Sequence, residues 1–157
     1  MNTDIGEYFV GAYLKIIKGC DVVDYNVRAP GGGLEGLNEL DVLGLDFKNQ
    51  IAYLCEVTTH IRGTLYKDNS TTVERITKKN ERQKNYAQKY LQNFPHHRFM
   101  FWSPVVPEGY ITNRLKSIDG LELVINSEYA KCVDELREKA QVLTHETNNP
   151  FLGCFKF

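Results

Sequence analysis

Two acidic residues in neighbouring apolar segments, Asp41 and Glu56, are the side chains in this sequence best placed to do chemistry. The segments 38–46 and 51–58 each alternate apolar with other residues and predict two strands, and the polar residues 46–50 predict the turn of a hairpin. A strand rises about 3.3 Å per residue and its neighbour lies about 4.8 Å away, so the two carboxylates can converge on one divalent cation. This spacing predicts metal-assisted hydrolysis.

Each of these carboxylates interrupts an apolar run, and that position requires a physical explanation. A buried charge is costly unless it is paired, hydrated or bound to a metal ion. For Asp41 this cost favours a functional role. For Glu56, a salt bridge to Lys78 or Arg82 would satisfy the charge without any chemistry, so metal binding and a structural ion pair both remain open.

The composition indicates one compact domain that spans residues 1–157, with a core at about 4–126 and a C-terminal helix and tail at 127–157. Of the 157 residues, 42% are hydrophobic and 25% are charged, which suits one such domain. The net charge of -1 argues against binding nucleic acid over the whole surface, but a local basic face is compatible with it.

Cysteine spacing and apolar run length exclude several other classes of protein. The four cysteines form no CxxC pair, which argues against a zinc site or a disulfide framework. The N-terminus lacks the basic and apolar regions of a signal peptide, and no apolar run approaches the roughly 20 residues that cross a bilayer. We therefore expect a cytoplasmic protein with no membrane partner.

The pattern of apolar residues predicts the elements that position the two carboxylates. A first helix begins after Thr3 or Asp4 and ends near Gly19. A strand at 20–28 and a glycine-rich loop at 29–36 lead into the hairpin. A polar segment at 62–72 then precedes a helix at 73–91, a strand at 98–102, a helix at 109–117 and a strand at 121–125. Asn126 or Ser127 caps a last helix that runs to about 142, and an aromatic tail follows at 144–157. Three strands followed by crossover helices predict an α/β fold with a mixed sheet flanked by helices.

Several short segments resemble motifs of the PD-(D/E)xK nuclease superfamily. They are Gly6-Glu7, Tyr25-Asn26-Val27-Arg28, Asn38-Glu39-Leu40-Asp41 and Glu56-Val57-Thr58. The match covers roughly residues 4–91 and looks most like small single-domain enzymes similar to archaeal Holliday-junction resolvases and restriction endonucleases. The resemblance implies a restriction-endonuclease-like fold with an αβββαβ core, and a magnesium-dependent endonuclease that hydrolyses phosphodiester bonds in DNA.

The resemblance also implies roles for individual residues. Asp41 would be the central metal ligand, and Glu56 and the main-chain carbonyl of Val57 would complete the protein ligands of Mg²⁺ or Mn²⁺. Glu7 would orient a water molecule or bind a second ion. Because Glu7 follows Asp4 by three residues, it could equally serve only to cap the first helix. Glu39 would face the same side as Asp41, and we assign it no catalytic role.

Thr58 departs from the superfamily pattern because a lysine is expected two residues after the glutamate. We predict that this cation has moved to the following helix, where Lys78, Lys79 and Lys84 lie, and we assign Lys78 to the site together with Thr58. His60 could act as a proton shuttle, although a histidine at a strand end is more often a surface residue. The missing lysine also leaves open an inactive module that binds nucleic acid or a protein partner.

Contact with DNA would fall to the basic helix and the segment before it. The predicted binding residues are Arg62, Arg75, Lys78, Lys79, Arg82 and Lys84. A lysine-rich solvated helix face is common in proteins, so an ordinary α/β domain with structural ion pairs is a third interpretation. Concerted cleavage of two strands would need a homodimer.

Overall fold

A computed structural model describes residues 3–30, 39–59 and 67–142 of the protein. Within these ranges the elements are, in order, α1 (Ile5–Ile16), β1 (Val22–Val27), β2 (Leu40–Asp46), β3 (Ile51–Val57), α2 (Asn69–Tyr90), β4 (His96–Ser103), α3 (Tyr110–Lys116), β5 (Leu121–Ile125) and α4 (Ser127–Val142). The predicted order is confirmed, and the bounds differ most at α2, which begins four residues before the predicted Val73. His60, Arg62, most of the glycine-rich loop and the aromatic tail lie outside the described residues.

The five strands form one mixed sheet in the order β1-β2-β3-β4-β5. Strands β1, β2 and β3 pair antiparallel as a meander, whereas β3 pairs with β4 and β4 with β5 in parallel. Each parallel pair is joined by a crossover helix, α2 or α3, as parallel pairing requires. The predicted α/β fold with a mixed sheet between helices is therefore confirmed.

The central strand β3 is buried on both faces of the sheet. Tyr53, Cys55 and Val57 pack with Phe9 of α1 and Trp102 of β4, in a cluster that α4 also enters. On the opposite face, Ala52 and Leu54 pack against Ala87 and Leu91 at the end of α2. Because side chains alternate along a strand, Glu56 lies on the same face as Ala52 and Leu54, towards α2.

Two glycines allow helix α1 to lie close to the sheet. A Cβ atom added at Gly11 would come within 2.0 Å of the Tyr25 hydroxyl of β1. A Cβ atom added at Gly6 would come within 2.7 Å of Thr59 Cγ2 and 3.3 Å of Val57 Cγ1. Contacts shorter than about 3 Å cannot be accommodated without displacement, so these glycines set the distance of α1 from β1 and from the end of β3.

Buried polar contacts fix helix α2 over strands β3 and β4. Asp68 caps its first turn by accepting a hydrogen bond from the Thr71 N–H at 2.7 Å. Further along, the buried Gln83 amide donates to the carbonyl oxygens of Leu54 at 3.0 Å and Met100 at 3.2 Å. Since an unsatisfied buried amide is costly, these bonds select one placement of α2 on the sheet.

Asn126 directly precedes helix α4 and its carbonyl accepts the Ala130 N–H at 3.0 Å, at the cap position that the sequence allowed, but its side chain does not cap the helix. Its amide instead binds the backbone of Val106, accepting from the N–H at 2.8 Å and donating to the carbonyl at 3.0 Å. Asn126 adopts a φ of 53°, a left-handed conformation that asparagine tolerates better than most residues. The side chain therefore joins the segment after β4 to the start of α4, which begins at Ser127.

The cysteines and the helices of the described residues can be compared with membrane and disulfide proteins. Cys20, Cys55 and Cys132 are free thiols. In residues 3–30, 39–59 and 67–142, no helix combines the length and the apolar character that crossing a bilayer would require.

Candidate active site

The hairpin places the two strand carboxylates opposite each other. The antiparallel register pairs Val42 with Cys55, so the next pair along the hairpin is Asp41 with Glu56. The charge of Asp41 acts on the Glu56 carboxyl opposite it, and Asp41 Oδ2 accepts the Val57 N–H at 2.8 Å. The convergence predicted from strand spacing is present, and Glu56 is only 5% exposed.

A lysine from helix α2 reaches this pair of carboxylates. Lys79 Nζ forms an ion pair with Glu56 Oε1, and the Lys79 side chain is 29% exposed. Glu56 therefore has the structural partner that the sequence left open, but it is Lys79 and not Lys78 or Arg82.

The other two lysines that the sequence proposed for this role point elsewhere. Lys78 lies on the exposed face of α2, where it pairs with Glu74 at 3.0 Å. Lys84 donates to the carbonyl oxygen of Asp119 at 2.9 Å, on the side of α2 that faces α3. Successive helix residues are rotated by about 100°, so a shift from position 78 to 79 is enough to move a side chain from solvent to the sheet.

Thr58 follows the last residue of β3 and continues its pairing with β4. Its N–H donates to the Trp102 carbonyl at 2.9 Å, and the residue is half-buried. At this end of β3, the Val57 N–H is bonded to the Asp41 side chain of β2 and the Thr58 N–H is bonded to the backbone of β4. These contacts hold Glu56, Val57 and Thr58 at the same end of the sheet.

Glu7 occupies the capping position that its spacing from Asp4 predicts. Its N–H donates to Asp4 Oδ1 at 2.9 Å, and its Oε2 accepts the Asp4 N–H at 3.1 Å, so the capping box is present. Glu7 is nevertheless buried, and the neighbouring Gly6 lies against Thr59 and Val57 at the end of β3. Burial raises the pKa of Glu7 to about 7, the hydrogen bond from Asp4 opposes this rise, and the charge of Asp41 adds to it.

The pKa values of the two strand carboxylates are also raised, and burial is again the largest cause. Burial raises the pKa of Asp41, although the Val57 N–H and Lys79 act against the rise. Burial, followed by the charge of Asp41, raises the pKa of Glu56 to about 8 in spite of the Lys79 ammonium beside it. Because both pKa values stay raised with Lys79 present, the site would gain from additional positive charge.

The oxygen donors at this site suit a hard divalent cation. In proteins Mg²⁺ is usually held by one or two carboxylates, with waters and substrate phosphates as its remaining ligands. Asp41 and Glu56 offer two such carboxylates, and the neighbouring carbonyl of Val57 offers a third oxygen. No group of three or more histidine, cysteine, aspartate or glutamate side chains in the described part of the chain is arranged to hold a metal ion. The donor set therefore fits a cation that also takes ligands from solvent and substrate.

Glu39 and Arg28 form an ion pair near the start of the hairpin. Glu39 therefore has a structural partner in Arg28. It still contributes to the negative field at Glu7. The sequence resemblance included Arg28 without a role, and the structure assigns it this contact across strands β1 and β2.

Most basic residues of α2 share one side of the helix. At about 100° per residue, the side chains of Arg75, Lys78, Lys79, Arg82 and Lys89 fall within an arc of about 100°, whereas Lys84 lies on the opposite side. Lys78 is paired with Glu74 within this arc. Of the predicted DNA contacts on α2, Lys84 is therefore the one that faces away from the others.

Neither a protein-family model nor a curated protein matches this sequence. The site contains the opposed carboxylates Asp41 and Glu56 with Lys79 beside them. It also contains the buried Glu7, whose pKa is about 7, and the basic side of helix α2. Such a set can bind a divalent cation, hold an anionic substrate and accept a proton.

Proposed function

We propose that this protein is a metal-dependent endonuclease that hydrolyses phosphodiester bonds in DNA. The observation that carries the proposal is the meeting of Lys79 with the opposed carboxylates Asp41 and Glu56. Lys79 lies on helix α2 and not at the end of strand β3, where the superfamily pattern expects a lysine at position 58. Its ammonium group lies beside the carboxylates, where it could act on a bound phosphate in the same way. The order helix, three strands, helix, strand supports a restriction-endonuclease-like version of the α/β fold.

Each residue of the site has its own role in the proposed hydrolysis. Asp41, Glu56 and the Val57 carbonyl would hold Mg²⁺ or Mn²⁺, which when bound polarises a phosphate and lowers the pKa of a coordinated water. The Val57 N–H orients the Asp41 carboxylate. Lys79 holds a positive charge where negative charge develops on the phosphate in the transition state. Glu7, with a pKa near 7, can accept a proton from water at neutral pH.

The test is cleavage of labelled DNA by purified protein with Mg²⁺, Mn²⁺ or EDTA. We expect metal-dependent cutting that falls roughly 10²- to 10³-fold in Asp41→Asn and Lys79→Ala, the usual loss when an electrostatic contact to the transition state is removed. The panel should contain duplex, junction, flap and single-stranded DNA, and RNA of the same sequence. Copurifying nuclease is excluded if the activity disappears in Asp41→Asn prepared in the same way.

Matched lysine variants make this test specific. Lys78→Ala removes a lysine adjacent to Lys79 that is paired with Glu74 on the surface. Lys131→Ala removes an exposed lysine of α4 that is paired with Glu128 at 3.0 Å. A loss confined to Lys79→Ala supports the assignment, whereas an equal loss in Lys78→Ala would contradict it.

The alternative is an inactive PD-(D/E)xK-like module that binds nucleic acid or a protein partner. Thr58 in place of the expected lysine favours it, since Lys79 could simply neutralise Glu56. Wild-type protein that binds DNA in EDTA but cuts no substrate with either metal ion would establish this alternative. The nuclease proposal would then be abandoned.

A further inference from the structure

A pocket beside the carboxylate site has the chemistry of a nucleotide-binding surface. It lies between α2 and the start of β2, and we name it the Tyr86 pocket. Its lining includes Leu40, Arg82, Asn85, Tyr86, Lys89 and Tyr90. Its volume of about 230 Å³ is below the roughly 300–1,000 Å³ of sites for drug-sized ligands. The size therefore suits one small planar group rather than a whole cofactor.

Two tyrosines provide flat apolar surface at this pocket. The rings of Tyr86 and Tyr90 have centroids 4.9 Å apart and an interplanar angle of 51°. Tyr90 is 42% exposed, although it is a large aromatic side chain. Nucleobases stack on such rings without regard to sequence, because every base has a flat π-face.

Two cations lie on either side of Tyr86 along the helix. Arg82 precedes Tyr86 by four residues and Lys89 follows it by three, so all three side chains share one flank of α2. Within residues 3–30, 39–59 and 67–142, neither cation forms a salt bridge. Alternation of cations with aromatic rings is the pattern of surfaces that follow a single nucleic-acid strand.

The Tyr86 pocket adjoins the proposed cleavage site. Leu40, which lines the pocket, directly precedes Asp41 in β2. Tyr86 follows Lys79 by seven residues, a rise of about 10.5 Å along the helix axis. A strand with one phosphate at the carboxylates would therefore reach the pocket with a base only a few nucleotides away.

We propose that the Tyr86 pocket holds an unpaired nucleobase, stacked on Tyr86 and Tyr90, with the neighbouring phosphates on Arg82 and Lys89. This proposal about the substrate rests on the proposed nuclease function. It specifies that the substrate contains an unpaired segment and is not a continuous duplex. A base within a duplex is stacked and paired on both sides, so it cannot enter the pocket unless it is first extruded.

The test measures binding without cleavage. Fluorescence anisotropy in EDTA compares labelled single-stranded DNA, single-stranded RNA of the same sequence and the matching DNA duplex. We expect tighter binding of single strands by wild type, and a rise in Kd of roughly 5- to 150-fold in Tyr90→Ala, the range measured for one stacked base. Arg82→Ala should also raise Kd and should reduce the dependence of binding on salt. The DNA and RNA arms show which strand supplies the base.

Tyr110→Ala is the matched control for loss of an exposed tyrosine. Tyr110 is 45% exposed on α3 and stacks with Arg114 at 5.2 Å, outside the Tyr86 pocket. Because Tyr90 is also exposed, its truncation should leave the fold intact, which circular dichroism checks. Unchanged single-strand binding in both Tyr90→Ala and Arg82→Ala, or an equal loss in Tyr110→Ala, overturns the pocket proposal.

The two proposals fail in distinguishable ways. If single-strand binding depends on Tyr90 but no substrate is cleaved, the pocket proposal is supported and the nuclease proposal is wrong. If metal-dependent cleavage is as fast on duplex as on single strands, and as fast in Tyr90→Ala as in wild type, the nuclease proposal is supported and the pocket proposal is wrong. Asp41→Asn should lower cleavage by the same roughly 10²- to 10³-fold yet retain binding of single strands.

Discussion

At the residue scale, the site is an arrangement that folding alone would not favour. Asp41 lies opposite Glu56, the charge of Asp41 also acts on Glu7, and burial raises the pKa of all three carboxyl groups. A fold selected only for stability would place apolar residues at such positions or pair each carboxylate. Clusters of buried, perturbed carboxyl groups are characteristic of functional sites, where stability is lost in exchange for activity.

Glu7→Gln should make the protein more stable at high pH. Burial raises the pKa of Glu7 from 4.5 to about 7, so between these values the native state binds more protons than the unfolded state, and the free energy of unfolding falls as pH rises. Glutamine removes this loss and can keep the capping box. In EDTA, we expect a gain on the order of 1–3 kcal/mol at pH 8 and little difference at pH 4.

Urea denaturation of both proteins from pH 4 to pH 8 measures this gain. Equal pH dependence in wild type and variant would show that Glu7 titrates normally and only caps helix α1. The same variant tested for cleavage separates the capping role from the proposed proton acceptor, because only the latter requires a carboxylate.

At the element scale, two helices determine which side chains reach the carboxylates. Gln83 fixes α2 through bonds to the Leu54 and Met100 carbonyls, and this placement directs Lys79 to Glu56. Gly6 lets the first turn of α1 approach the end of β3. The strands hold the carboxylates, and the helices bring the lysine and Glu7 to them.

Gly6→Ala and Gly11→Ala should have similar effects on stability but different effects on activity. Overpacking costs about 1–3 kcal/mol, which exceeds the gain of about 0.5–1 kcal/mol from replacing glycine in a helix, so both should lower the free energy of unfolding by about 1–2 kcal/mol. Only Gly6 lies next to Glu7 and the end of β3, whereas Gly11 faces Tyr25. We expect cleavage to fall only in Gly6→Ala, measured well below the Tm of each variant. Equal cleavage by the two variants would contradict this role of α1.

At the scale of the whole molecule, the mixed sheet unites groups that are far apart in the chain. Asp41, Glu56 and Lys79 come from β2, β3 and α2, so the site exists only in the folded protein. A cation bound there must stabilise the native state, because the unfolded chain cannot present the same ligands together. The predicted homodimer and the cytoplasmic location remain predictions.

Mg²⁺ or Mn²⁺ should raise the Tm of wild type but not of Asp41→Asn. At a free concentration of 100 times Kd the gain is ~2.7 kcal/mol, equivalent to roughly 5–10 °C for a chain of this size. Differential scanning fluorimetry with increasing metal ion measures the shift. Asp119→Asn, a change at an exposed residue outside the site, should respond like wild type. An equal shift in Asp41→Asn would place the metal ion elsewhere.

Periodicity and local chemistry were enough to predict the order of elements, the α/β class and the opposed pair Asp41 and Glu56. These properties depend on alternation within a strand and on a short hairpin, which are local in sequence. The capping box at Asp4 and Glu7 is local in the same way.

The choice of Lys79 over Lys78, the contact of Asn126 with Val106 and the Tyr86 pocket required the tertiary structure. Each depends on the rotation of a helix about its axis or on the approach of segments distant in the chain, and a difference of one residue turns a helical side chain by about 100°. Buried hydrogen bonds such as those of Gln83 set that rotation. The sequence therefore identified the carboxylates, while packing decided which cation reaches them.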